Sequence, residues 1–192
     1  TRPSFSTRPV NGSSIGKPAC SVIAPGPGRP STRSKRSRRW RRSCWSCGQE
    51  FYPRTDPAVI VLITDGERCL LGYHKRYAHK FYSTLAGFVE PGEDFEACVR
   101  REMREETGIA IGEVKYMASQ PWPFPHLVMV GCWAQALTTD VELEEDELYD
   151  ARWFTREEVH QMLAGEHPEE ITVPGPHSIA HALIKSFADH QD

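Results

Sequence analysis

The first 49 residues contain no aspartate or glutamate, yet they hold 11 of the 23 lysines and arginines. Rich in Arg, Ser, Pro and Gly, with the block RPSTRSKRSRRWRR at 29–42 and no amphipathic period, residues 1–43 are expected to be a disordered leader. Residues 50–192 carry the other 12 basic side chains and all 26 acids, a net of −14 hidden inside the overall −3. No run of eighteen apolar residues exists, which excludes a membrane-spanning helix. No internal repeat is visible. No histidine precedes His74, and only Cys20 lies upstream of the pair Cys44 and Cys47. A structural zinc site wants four ligands, and at most three can be counted, so a zinc site is expected to be incomplete or absent. The six cysteines do not suggest a disulfide framework. Cys69, Cys98 and Cys132 sit in apolar segments and read as buried free thiols, which fits a reducing cytoplasm.

What is present is one domain plus extras, with 39% hydrophobic residues to build its core. Residues 58–64 form a near-continuous β-branched run, hence a buried strand. Asp65-Gly66 turns the chain, and 69–74 returns as a second strand. Further strands are expected at 84–90, 113–118, 127–137 and 150–154. Thr155 caps a helix, with Glu158 in the capping-box position, and 178–190 forms a last amphipathic helix.

The densest information lies at 87–109, GFVEPGEDFEACVRREMREETGI. It reads G-x5-E-x7-R-E-U-x-E-E-x-G-U, with U aliphatic. Chance would fill its seven fixed positions on the order of once in a hundred million windows. Residues 94–107 have good helix formers, no internal Gly or Pro, acids at the start and Gly108 as a stop. At 3.6 residues per turn Phe95, Cys98, Val99 and Met103 share a face. Glu102 and Glu106 fall inside that arc and Glu105 lies at its edge, while Arg100, Arg101 and Arg104 fall mostly on other sides. Carboxylates crowded on an inward face are costly when bare, and a hard divalent cation would offset that cost. The plainer alternative is a solvated acidic face. Gly87 and Pro91-Gly92 supply tight turns ahead of the helix.

Eleven residues past Gly108, Ser119 opens the segment SQPWPFP. Three prolines and two aromatics in seven residues exclude a regular helix or central strand. The expectation is a stiff apolar loop with one amide, Gln120, suited to clamping a flat base. Taken alone, a rigid surface turn explains it better.

The pattern at 87–109 resembles the Nudix box, the metal-binding motif of enzymes that hydrolyse nucleoside diphosphates linked to another group. Together with SQPWPFP, the stretch CWSCGQEFYPRTDPAVIVLI and the later segment PGPHSIAHALI, it resembles the NADH pyrophosphatase family from Cys44 to about Phe187. The resemblance implies the Nudix fold, an α/β class α/β/α sandwich with a mixed β-sheet. It divides the chain into the leader 1–43, a remnant of a zinc-ribbon-like segment at 44–57 and a Nudix domain at 58–192. It implies Mg2+ or Mn2+ held by Glu102, Glu106, Glu105, the carbonyl of Ala86 and Glu147, with Glu106 preferred as base, and a pairing of Glu93 with Arg101. Phe88 and Tyr52 match ring-stacking positions, although each could be a plain core aromatic. Gln120, Pro121, Trp122, Pro123, Phe124, Pro125, His126 and Leu127 match the nucleotide pocket, and Ala180 a further substrate contact. One departure stands out: Leu127 occupies a position where the family has Ser.

The activity implied is cleavage of NAD(H) to NMN(H) and AMP, with NAD-cap removal from RNA as a second substrate and a homodimer as an assembly the resemblance allows. A broader ADP-ribose or nucleotide-sugar diphosphatase and a non-catalytic nucleotide- or RNA-binding fragment are the alternatives. Three readings compete for the leader: a basic tail for a polyanion, an organelle transit peptide, or an aberrant gene start where the family's N-terminal domain belongs. The last is favoured, since the chain opens on Thr1.

Overall fold

A computed structural model describes residues 42–43, 50–52, 54–75, 79–143 and 148–190. The chain divides into two units, 1–53 and 54–192. In the first, β1 (Arg42–Ser43) pairs antiparallel with β2 (Glu50–Phe51). Cys44 and Cys47 lie outside the described residues.

The second unit runs β3 (Asp56–Thr64), β4 (Arg68–His74), β5 (Tyr82–Ser83), β6 (Leu85–Phe88), α1 (Phe95–Thr107), β7 (Ile111–Trp122), β8 (Leu127–Ala136), β9 (Leu148–Thr155), α2 (Arg156–Ala164) and α3 (Ile179–Asp189). Side chains of β3 alternate between the faces of the sheet. Val59, Val61 and Ile63 join a core with Val99 and Met103 of α1, whereas Ile60 and Leu62 join Val159, Leu183, Ile184 and Phe187 of α2 and α3. Burial on both faces is why this strand reads as an unbroken apolar run. The result is the expected α/β/α sandwich. Its sheet is mixed: β3 runs parallel to β8 from Asp56↔Leu127 to Thr64↔Gln135, and its other pairings are antiparallel.

The hairpin between β3 and β4 turns on Gly66, whose φ of 103° suits glycine, while Asp65 accepts the amides of Glu67 and Arg68. The two strands pair only at Ile63↔Leu70 and Thr64↔Cys69. Beyond that point β3 takes β6 as its neighbour and β4 takes β5, while β9 pairs with β4 from Arg68 to His74. The helix ends follow the sequence signals. Asp94 caps α1, Thr155 and Glu158 form a reciprocal capping box on α2, Ser178 caps α3, and Gly108 ends α1 in the left-handed region.

Two expectations are corrected. The segment SQPWPFP is not a loop throughout: Ser119 to Trp122 continue β7, pairing with Val130 to Leu127, and only residues 123–126 turn. Proline is tolerated because β7 is an edge strand, so the missing N–H of Pro121 costs no ladder bond on the open side. Phe95 does not join the buried face of α1; it sits on the first turn and is 43% exposed. Cys69, Cys98 and Cys132 are buried free thiols as expected. No helix among the described residues is long and apolar enough to cross a membrane.

Candidate active site

The acidic helix α1 brings Glu102 and Glu106 against the sheet but leaves Glu105 exposed. Glu106 is buried at 7% exposure and Glu102 is half-buried. Burial pushes the Glu102 carboxyl above its usual range, even though the Arg101 guanidinium lies 2.9 Å away. Gly87 of β6 is what lets Glu102 lie there: a Cβ at position 87 would overlap the Glu102 carboxyl carbon.

Arg101 is not sorted away from the acids, as helical geometry alone suggested. Its long side chain folds back into the cluster. It bonds Glu93 through two parallel contacts of 2.9 Å, reaches Glu105 at 3.1 Å and donates to the Phe88 carbonyl at 2.9 Å. The bidentate hydrogen bonds from Arg101 hold the Glu93 carboxyl down at about 2, and Glu93 also accepts the Glu90 amide at 3.0 Å. The loop ahead of α1 is thereby fastened to the helix. Cys98 completes this corner, its thiol donating to the Phe88 carbonyl at 3.4 Å and pushed up to about 12 by burial.

A cleft of about 990 Å³ opens on the opposite face, toward α3. Ala58, Ile60, Leu127 and Met129 lie along it from β3 and β8, Ala86, Gly87 and Phe88 from β6, Gln120 and Trp122 from β7, and Ser178 and Ala180 from the start of α3. Phe88 is 58% exposed and Trp122 is 41% exposed, so both present aromatic surface without being core residues.

The expected pocket residues therefore separate. Gln120, Trp122, Leu127, Phe88, Ala86 and Ala180 line one cleft. Pro121 does not, because successive strand residues face opposite sides. Pro123, Phe124, Pro125 and His126 form the turn beyond the strand end. His126 contacts Asp56 at 2.9 Å, and its carbonyl accepts the Asp56 amide at 2.8 Å, which anchors that turn to the start of β3. Tyr52 belongs to the first unit and is 68% exposed. Glu147 lies outside the described residues.

Several lining residues have no motif to mark them: His74, Lys75, Ser83 and Thr84. Thr84 is 3% exposed and its hydroxyl makes no hydrogen bond. Strand parity could have found Met129, two residues past Leu127, and Ala58, its partner on β3.

Among the described residues no three acidic, imidazole or thiol side chains already converge on one ion position. The donors that are present nevertheless suit a hard divalent cation. They are carboxylate oxygens on a partly desolvated helix face, one of them cradled against a glycine, and burial disfavours the charge on Glu102 unless further positive charge arrives.

Residues 54–173 match the NUDIX domain family. NAD-capped RNA hydrolase NUDT12 of Homo sapiens is 48% identical over 138 residues, which cover 71% of this chain and 30% of that protein. NAD-capped RNA hydrolase NudC of Stutzerimonas stutzeri is 50% identical over 145 residues, 75% of this chain and 48% of that one. The chain spans about a third to a half of the length of these relatives. A solved NUDIX hydrolase from Nitrosomonas europaea superposes with a TM-score of 0.58 at 21% identity, covering 78% of each chain, and shares the fold. Nudix hydrolases in general use divalent metal ions. With the box complete, the sandwich built around it and more than half of its length matched, this chain belongs to the NUDIX domain family.

Proposed function

We propose that the chain hydrolyses the diphosphate of NAD(H) to NMN(H) and AMP, and that it takes the same linkage at the 5′ end of NAD-capped RNA. One observation carries the reading: the apolar cleft and the carboxylate face adjoin at Gly87, which lines the cleft and abuts the Glu102 carboxylate. A ligand with a flat ring at one end and a diphosphate beyond it fits that juxtaposition. The relatives named as NAD-capped RNA hydrolases supply the identity of the ligand.

In this mechanism Phe88 and Trp122 offer ring faces, Leu127, Met129 and Ile60 form an apolar floor that excludes water, and Ala180 closes the α3 side. Tyr52 is assigned to stacking by family position. Glu102 and Glu106, with Glu105, Glu147 and the Ala86 carbonyl, would hold Mg2+ or Mn2+. Bound there, the ion supplies charge neutralisation at a phosphoryl oxygen and acidifies a water. Glu106 takes the proton from the attacking water. The water oxygen bonds one phosphorus, the bond from that phosphorus to the bridging oxygen breaks, and its electron pair leaves on the second phosphate. The Glu93–Arg101 clamp fastens the loop that follows β6 to the helix and ties the Phe88 carbonyl at the end of that strand.

Leu127 favours a second reading, a broader ADP-ribose or nucleotide-sugar diphosphatase. It lines the cleft with an aliphatic chain where the resembled family has a hydroxyl. Both readings meet one experiment: hydrolysis of NADH, NAD+ and ADP-ribose with Mg2+ or Mn2+, wild type beside Glu106→Gln, products separated by chromatography. AMP with NMNH is expected, with the rate down about 10³-fold in the variant and abolished by chelator. Folded protein that turns over ADP-ribose alone would establish the second reading, and no turnover of any substrate would refute both.

A further inference from the structure

Gln120 is the one amide in the SQPWPFP segment and the natural candidate to read a base edge. Its side chain is engaged elsewhere. Oε1 accepts the Ile179 amide at 2.9 Å, and Nε2 donates to the His177 carbonyl at 2.8 Å. The two partners force this orientation of the amide, since an N–H can meet only the oxygen and a carbonyl only the nitrogen. Both bonds bridge from β7 to the start of α3, across the mouth of the cleft that Gln120, Trp122, Ser178 and Ala180 line.

The first amides of a helix lack partners within it. Ser178 satisfies one of them at His181, and Gln120 satisfies Ile179 from another element. The same turn is seated by packing: a Cβ on Gly131 of β8 would come within 2.8 Å of Ile179 Cδ1. A close approach to the sheet on one side and a two-point tether on the other fix where Ala180 stands relative to Trp122.

We propose that Gln120 is a positioning residue, which sets the width of the cleft by tying the first turn of α3 to β7 and does not discriminate between bases by direct contact. The kinetic part of the test rests on the dinucleotide reading above; the structural part does not. In Gln120→Ala, the Ile179 amide should exchange with solvent at least about tenfold faster, while amides of Leu62 and Ile184 keep their protection. KM for NADH and for its deaminated analogue, which carries a carbonyl in place of the adenine amino group, should rise by the same factor, about tenfold, with kcat changed less than about twofold. Gln120→Glu keeps the acceptor for Ile179 and opposes the His177 carbonyl with a second oxygen, so it should fall between wild type and Gln120→Ala in both readouts. It also carries the test should Gln120→Ala not fold. Unchanged Ile179 exchange in Gln120→Ala overturns the proposal, as does, in either variant, a KM increase confined to the ligand bearing the amino group. Should wild type turn over neither dinucleotide, the functional reading fails, and the Ile179 exchange alone decides this one.

Discussion

The two faces of the sheet carry chemically opposite halves of the site. On the α1 face, Glu93, Arg101, Glu102, Glu105 and Glu106 crowd within four turns of helix and the loop ahead of it. On the α3 face, the cleft is walled chiefly by apolar and aromatic groups, with Lys75 and His74 among its lining. The first half is local in sequence and held by charge; the second is assembled from seven elements and held by packing and backbone. A diphosphate joined to a flat ring needs both, and β6 is thin enough at Gly87 to let them meet. Damage should therefore sort by face, with chemistry lost on one side and selectivity on the other.

The largest effect among the variants that probe this contrast is expected at the junction. Gly87→Ala places a methyl where the Glu102 carboxyl stands, and the only group that can yield is that flexible side chain. Yielding costs the fold little, because Gly87 lies in extended strand paired with Val59. It costs the chemistry much, since displacing a reacting group by about 1 Å is worth about 10²-fold in rate. A drop in kcat of that size with Tm within about 2 °C of wild type is the expected pair of results. An equal loss of Tm and rate would mean that Gly87 serves the fold and not the site.

Next in size is the charge clamp. Arg101→Met leaves Glu93, Glu102 and Glu105 without their shared cation. The cost is expected to be about 1–2 kcal/mol in chemical denaturation, discounted because Arg101 remains a quarter exposed. The pH dependence sharpens the point. The Glu93 carboxyl is held near 2, below its ordinary 4.5. Its contribution is fully present above about pH 4.5 and is lost as pH falls through about 2, because the unfolded state then binds the proton more readily. Glu169, held near 2 by Arg152 and Lys80, gives the α3 side of the molecule a clamp with the same sign. Arg101→Met should therefore flatten the acid limb of the stability profile in part, leaving the share due to Glu169. An acid limb identical to wild type would show that the Arg101 cluster does not contribute to it.

The same contrast explains what could be read from the sequence. Helix α1, its caps, the buried pair Glu102 and Glu106 and the strand at 58–64 follow from helical period, capping residues and an apolar run, each legible within a short window. Two features depart from the local pattern because of side-chain reach and strand context. Helical angle alone places Arg101 away from the acids, yet its flexible stem carries the guanidinium back among them, where it makes the pairing with Glu93 that the resemblance implies. The prolines of SQPWPFP predict a loop because proline breaks central strands, yet an edge strand accepts its first half. The cleft lay beyond such reasoning. Its residues span 58 to 180, and parity along one strand does not reveal which helix start will be tied across it.

The smallest expected effect tests the apolar half alone. Leu127 starts β8, opposite Asp56 on β3 and Trp122 on β7, and it is only partly buried. Leu127→Ser trades a few methylenes of contact for a hydroxyl at the cleft. The stability cost should stay below about 1 kcal/mol, since the side chain is not sealed in the core. The rate constant at saturation should not move, because position 127 faces the cleft and not the carboxylates. What should move is selection: the preference of kcat/KM for NADH over ADP-ribose should change by about threefold, the scale on which one polar contact in a partly wet cleft discriminates. A change in kcat without a change in that ratio would mean that the two faces are not separable, and that packing on the α3 side reaches the chemistry on the α1 side.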